Sequence, residues 1–396
     1  MPRELHLSIE LSGTGHHPAG ADPTAPLTAA PWADLVRLAE QGALDFVTVG
    51  DTPTPPPDGS GDSGGRLDAV AVLARVAPVT SRIGLVPTVT TTNTEPFHTS
   101  TALANLDFVS EGRAGWQVDV STTEAHTEAH TVGRLPRASA AELWAEAADV
   151  AEFAARLWDS WEDNAETRGA ATGRRTAGDR LHPMDFDGPY VSVRGPSTVP
   201  RPPQGRPPLA VTLDVHDSDG QWELAAGHAD VVLLDVDQPA TVRLARAALL
   251  HRTAEAGRDP DALRVLVRVA VDLGGGAGPG PHSLPAVDTV RFTGTAADLA
   301  GLLADWHAAA GADGFHLLPA SAPADLPAVV HELVPPLREH GIFRTDYTGR
   351  TLRDHLGLPR PVGRFARRGG HGPMTHTATA ACGAGTARTS QPTWYS

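Results

Sequence analysis

Eight short apolar runs recur along this chain, and each is followed by a segment with helical spacing. The runs are "LHLSIEL" (5–11), "LDFVTVGD" (44–51), "SRIGLVPTVT" (81–90), "RAGWQVDVS" (113–121), "PLAVTLDV" (208–215), "ADVVLLDV" (229–236), "LRVLVRVAVDL" (263–273) and "DGFHLLPA" (313–320). Parallel strands cannot be joined by a tight turn and need a longer crossover, usually a helix. Alternation at this spacing therefore predicts βαβ units. Eight units fit an α/β fold of the TIM (β/α)8 barrel type better than an open sheet.

The intervening segments support this. In "PWADLVRLAEQGAL", Trp32, Leu35, Val36, Leu38 and Ala39 fall on helical spacing, and Pro31 suits a helix start. Residues 139–163 predict a long amphipathic helix carrying Trp144, Trp158 and Trp161, which read as packing residues. The rhythm breaks after the fourth and seventh strands, so insertions are expected at about 121–138, 164–207 and 273–293. Residues 1–365 are expected to form one domain. From about Ala366 the chain is mostly Gly, Thr and Ala, which predicts a disordered tail to residue 396.

Charge and composition exclude several classes of function. The formal net charge is −15, which argues against nucleic acid or an anionic membrane as partner, because phosphates demand positive charge. Every Lys+Arg residue is Arg, so neither a Schiff-base lysine nor a P-loop lysine is available. The single cysteine, Cys382, lies in the tail and supports neither a disulfide framework nor a cysteine zinc site. The N-terminus lacks a signal-peptide pattern and no apolar run reaches the length of a membrane span, so a cytoplasmic protein is expected.

In a TIM barrel, chemistry sits at the C-terminal ends of the strands. Here those ends include "SGTGHH" (12–17), "GDTPT" (50–54), "PTVTTTNTEP" (87–96), "QVDVSTTEAH" (117–126) and "LDVHDSDG" (213–220). They supply hydroxyls and carboxylates but few cations, which suits a neutral hydrogen-bonding heterocycle with one anionic appendage. Gln117 and Asp119 alternate with Trp116, Val118 and Val120, so both belong on one face near the barrel mouth. A polar layer inside the barrel is the plainer account of them. Asp51 reads either as a turn or cap residue or as a site residue. His16 and His17 suit acid–base work at the rim, or are simply loop residues. His126 and His130, four apart, have the spacing of a helical metal pair, but "HTEAH" is not the metalloprotease motif HExxH. No metal is assigned, and a metal hydrolase ranks last among the readings.

Several stretches resemble the bacterial-luciferase-like flavin monooxygenases, in the branch containing nitrilotriacetate and dibenzothiophene-sulfone monooxygenases. They include "GTGHHPA", "WADLVRLAEQGALDFVTVGDT", "LWDSWEDNA", "VRGPSTVPRPPQGRPPL" and "RTLRDHLGLPRP", and with the βα pattern they cover most of residues 5–365. The resemblance implies reduced FMN bound at the strand ends, oxygen activated as a flavin peroxide, and a small organic substrate. It also implies a separate NAD(P)H:flavin reductase and a homodimer or homotetramer. By motif position, Asp51, Thr88, Thr90 and Gln117 would line the isoalloxazine pocket, and His17 would stand near its reacting face. Asp119 would reach the flavin or substrate. His216 and Ser218, after the fifth strand, would contact the cofactor, Ser218 meeting its phosphate together with the amides of the next helix. Gln117 stands where relatives commonly carry Asn, Leu143 and Trp144 stand where an Arg-Tyr pair is frequent, and the fifth loop is acidic at Asp214, Asp217 and Asp219. Two alternatives stay open: an oxidoreductase of the same fold using deazaflavin F420, and a degenerate homologue with weak or no flavin use.

Overall fold

A computed structural model describes residues 4–11, 28–51, 67–92, 94–121, 139–163, 165, 178–216, 218–273 and 289–366. The expectations for His16, His17, His126, His130, Asp217 and the tail lie outside these residues. The strands are β1 (His6–Leu11), β2 (Phe46–Val49), β3 (Gly84–Thr90), β4 (Trp116–Asp119), β5 (Asp185–Asp187), β6 (Ser192–Arg194), β7 (Leu209–Asp214), β8 (Val231–Asp235), β9 (Arg264–Asp272), β10 (Val290–Thr293) and β11 (Gly314–Pro319). The helices, in chain order, are α1 (Ala29–Gln41), α2 (Ala69–Val76), α3 (Pro96–Val109), α4 (Ala140–Asp159), α5 (Asp219–His228), α6 (Pro239–Glu255), α7 (Ala296–Ala310), α8 (Ala322–Ala328), α9 (Val334–Glu339) and α10 (Leu352–His355). A π-helical turn at Val329–Leu333 joins α8 to α9.

Strands β1, β2, β3, β4, β7, β8, β9 and β11 close in that order into a parallel barrel, with β11 returning to β1. The eight-stranded TIM barrel expected from the sequence is thus what forms. Strands such as "VVLLD" in β8 are buried along their whole length because helices cover the outside and side chains fill the inside. Three elements were not foreseen. β10 pairs in parallel with the C-terminal half of β9 (Val290 opposite Val269), while β8 pairs with the N-terminal half (Val231 opposite Arg264). The returning chain thereby adds a strand at the barrel mouth. A short hairpin, β5–β6, lies between α4 and β7. The third is α10.

Local sequence sets several helix starts. Ser139 and Glu142 form a capping box at α4, and Thr295 caps α7 by accepting from Asp298 N. The principal core lies between the strands and the helix ring. A second cluster fills the lower barrel: Phe46, Val86, Ala210, Val231, Leu233 and Leu266 meet Leu352 of α10 and Leu356 and Leu358 after it. This short helix therefore plugs the bottom. Gly84 makes room for it, since a Cβ there would stand 2.6 Å from Leu352 and 2.7 Å from Phe46.

Gln204 ties the plug to the barrel. Its amide nitrogen donates to Asp107 (2.6 Å) and to the Ala114 carbonyl (2.8 Å), and its Oε1 accepts from Arg353 N (2.9 Å). Burial pushes the Asp107 carboxyl up to about 6, against the opposing hydrogen bonds from Gln204. The folded chain thus keeps a proton that the unfolded chain releases near 3.8. That contribution to stability is complete below the unfolded value and is lost as pH rises through about 6. Urea unfolding of the wild type and Asp107→Asn at pH 4 and 7 should show the wild type losing on the order of 3 kcal/mol more than the variant over this interval. Parallel pH profiles would refute the assignment.

Candidate active site

Alternate residues on the barrel strands share the inner face. Above the apolar layer, β1 contributes Ser8 and Glu10, β2 Thr48, β3 Thr88 and Thr90, β4 Gln117 and Asp119, and β7 Thr212 and Asp214. β8 adds Asp235, β9 Arg268 and β11 His316. Thr88 lies directly opposite Gln117, and Thr90 opposite Asp119. The structure therefore brings these four sequence-predicted residues together, on adjacent strands.

Thr88 and Thr90 are buried, at 8% and 5% exposure. The Thr90 hydroxyl lies 3.3 Å from Ser121 Oγ and accepts from Thr92 N. Gln117 Nε2 donates a long bond of 3.4 Å to Thr212 Oγ1, while its buried Oε1 has no partner. If the amide were turned over, a donor would be left instead, so one end is orphaned in either orientation. A buried polar atom without a partner costs about 1–3 kcal/mol, and such atoms in a barrel mouth mark a ligand position. Asp119 is half-buried beside this amide.

Asp51, expected either as a cap or as a flavin-lining residue, lies just past the end of β2. It accepts from Ala69 N at 3.0 Å, so it holds the first turn of α2, as the cap reading anticipated. His216 and Ser218 are exposed, in the loop after β7. His216 N donates to Asp214 Oδ1 at 2.7 Å. Ser218 is the N-cap of α5, yet its hydroxyl makes no capping bond. A cleft of about 300 Å³ opens here, between the ends of β7 and β8 and the start of β10, lined by Asp214, His216, Asp235, Asp237, Thr289 and Arg291 among others. Leu143 and Trp144 are buried in the helix layer. Trp158 donates to the Ser100 carbonyl at 2.9 Å, consistent with packing. Among the described residues no group of three or more His, Cys, Asp or Glu is arranged for a metal.

Sequence reasoning missed the charged centre of this face. Arg268 bonds Asp235 through Nη1 at 2.6 Å and lies 3.9 Å from Glu10. All three side chains are less than one-fifth exposed, and Arg268 Nε is buried without a partner. Burial holds the Asp235 carboxyl above the ordinary range, Arg268 opposes this, and Asp214 adds to it. Below them His316 takes Ser8 Oγ at Nδ1 (2.9 Å), with Thr48 Oγ1 3.4 Å from Nε2, and stacks on Phe46. Burial, with a smaller contribution from Arg268, pushes this imidazole down to about 3, so it is neutral at working pH and is a positioning group rather than an acid. The signal was present in "RVLVRVAVD", where Arg264, Arg268 and Asp272 interrupt an apolar strand on one face.

A closed parallel barrel with unsatisfied amide and guanidinium atoms at its mouth is a cofactor-binding architecture, and comparison with known proteins defines its class. Residues 10–274 match the family of luciferase-like monooxygenases, and the chain belongs to that family. It is similar to component A of nitrilotriacetate monooxygenase from Aminobacter aminovorans, at 31% identity over 92% of this chain and 99% of the relative. It is likewise similar to N-acetyl-S-(2-succino)cysteine monooxygenase of Bacillus subtilis (strain 168), at 29% identity and the same coverages. Among solved structures, EDTA monooxygenase from Chelativorans sp. BNC1 superposes with a TM-score of 0.79 at 21% identity, covering 90% of this chain and 99% of that one. The chain is thus a flavin-dependent monooxygenase acting on a small molecule, and this reading stands over F420-dependent hydride transfer. Among the described residues no helix is long and apolar enough to cross a membrane.

Proposed function

We propose that the flavin is reduced FMN, delivered by a separate NAD(P)H:flavin reductase, and that the inner face around Gln117 receives its ring. The orphaned Gln117 amide carries this reading, because an isoalloxazine edge offers both carbonyl and N–H groups to either end of it. Thr88, Thr90 and Thr212 supply further hydroxyls on the same face. Reduced flavin supplies the two electrons with which one oxygen atom of O2 enters the substrate and the other leaves as water. The protein orients the ring, excludes water and keeps its own groups in fixed protonation states. The neutral His316 holds Ser8 and Thr48 in place. Asp119 faces the mouth as a candidate proton carrier, and His17 is proposed from its motif position alone. Asp51, just past the end of β2, is proposed to line the ring pocket while it holds the first turn of α2. For the phosphate we assign Ser218, His216 and the first turn of α5, where an uncapped serine and a helix N-terminus suit an anion.

Carboxylates outnumber cations at the described rim: Glu10, Asp119, Asp214, Asp235 and Asp237 against Arg268 and Arg291. Such a field favours neutral or positively charged substrates over polycarboxylates. The deciding experiment is titration of FMN, reduced FMN and riboflavin into the protein, followed by turnover with a reductase and O2. We expect reduced FMN to bind more tightly than riboflavin, and Ser218→Ala to narrow that difference three- to tenfold. Amine or thioether substrates should be consumed faster than nitrilotriacetate. Absence of affinity for any flavin would instead favour a degenerate homologue. Assembly as a homodimer or homotetramer is proposed from the resemblance and is checked by light scattering.

A further inference from the structure

At the opposite end of the barrel lies a second cleft, of about 260 Å³. β7 begins beside it at Leu209 and ends at the rim at Asp214, so the two sites are separated by the length of a strand. Four guanidinium groups line it, from Arg206, Arg258, Arg353 and Arg364, and His228 joins them. Glu152 and Asp230 are the carboxylates of the lining. The cleft therefore carries an excess of positive charge in a chain whose net charge is −15.

The bonding of these arginines is unequal. Arg353 is matched by Asp230, at 3.2 and 2.9 Å, and Arg364 bonds Glu152 at 2.7 Å. Arg206 bonds Asp159, which Arg201 shares, and Arg206 Nε is buried without a partner. Arg258 donates to the carbonyls of Ala226 (2.9 Å) and Ala229 (2.7 Å), acceptors that carry no formal charge. Burial and the arginines hold the His228 imidazole below its ordinary value, against the pull of Glu152. Planar guanidinium forks converging on a cavity fit a tetrahedral oxyanion, which accepts several of their bonds at once.

We propose that this cleft binds a phosphate-type dianion, either inorganic phosphate or the phosphate group of a small molecule, through Arg206, Arg258 and Arg364. The lining includes both barrel residues and the segment that carries Pro361 and Arg364. An anion here would pin that segment under the barrel without competing for the rim.

Isothermal titration of the intact protein, with sodium phosphate and separately with glycerol phosphate at constant ionic strength in chloride, tests this. We expect one site per chain with Kd below about 1 mM. A tighter monoester identifies an organic phosphate as the ligand, and a tighter free ion identifies inorganic phosphate. Arg258→Gln and Arg364→Gln should each weaken binding at least tenfold, and Glu152→Gln should tighten it several-fold by removing a repelling charge. Arg364 lies outside the core, so its variant decides the matter if Arg258→Gln fails to fold. Reduced-FMN affinity should stay unchanged in all three variants. No saturable binding of either phosphate by the wild type, or undiminished binding in the arginine variants, overturns the proposal.

Discussion

Replacing Arg268 by Met should destabilise the protein by about 3–5 kcal/mol, measured by chemical denaturation at pH 7. The substitution keeps the aliphatic bulk and removes the charge. It leaves Asp235, at 8% side-chain exposure, with no cation at 2.6 Å, and leaves Glu10 facing the same space. An uncompensated buried carboxylate is far more costly than a buried pair is stabilising. Asp235→Asn alone should be milder, because Glu10 at 3.9 Å still faces the guanidinium. The double variant should then recover most of the loss, and the cycle isolates the coupling. If Arg268→Met costs less than about 1 kcal/mol, the pair is solvated and does not organise the mouth.

The second large effect concerns Gln117 and has opposite signs in two measurements. Gln117→Leu removes a buried amide whose oxygen has no partner in the free protein. Stability without flavin should be unchanged or should rise by about 1 kcal/mol. Affinity for reduced FMN should fall ten- to a hundredfold, because the ring would meet a group that cannot bond. Gln117→Asn, which keeps the amide on a side chain one methylene shorter, should retain binding within about tenfold. A Gln117→Leu variant that loses stability and keeps flavin affinity would make this amide part of the scaffold. The expected trade of stability against binding is what a preorganised ligand position produces.

The barrel was legible because its signal is long-range and repeated: β-branched runs alternating with helical spacing, eight times over. β10 and the β5–β6 hairpin were not, because "VRFT", "DFD" and "SVR" are three or four residues long and bury only alternate positions or fewer. Hydrophobic periodicity has little to read in such pieces. The α10 plug was missed for a related reason, since four helical residues make no pattern of their own.

In the candidate site, Thr88, Thr90, Gln117 and Asp119 were within reach because strand period and proximity to a strand end both point to them. Arg268, Asp235 and Glu10 come together only when the barrel closes β8 and β9 toward β1 through β11. Residues that meet across a closure have no common sequence window. Asp51 was legible as a cap as well, because an Asp just past a strand and before a Pro-rich loop suits one, and its carboxylate receives the amide of Ala69.

The plug beneath the barrel also bears on how the chain comes to be folded during synthesis. The lower interior, from Phe46 on β2 to Leu266 on β9, is sealed by Leu352, Leu356 and Leu358, which leave the ribosome long after the strands they cover. Until then the apolar floor of the barrel has no cover from these three leucines. Intermediates with uncovered apolar surface are prone to association, and contacts of this sequence separation form slowly. Closing the floor of the barrel therefore falls to one of the last described segments of the chain to be synthesised.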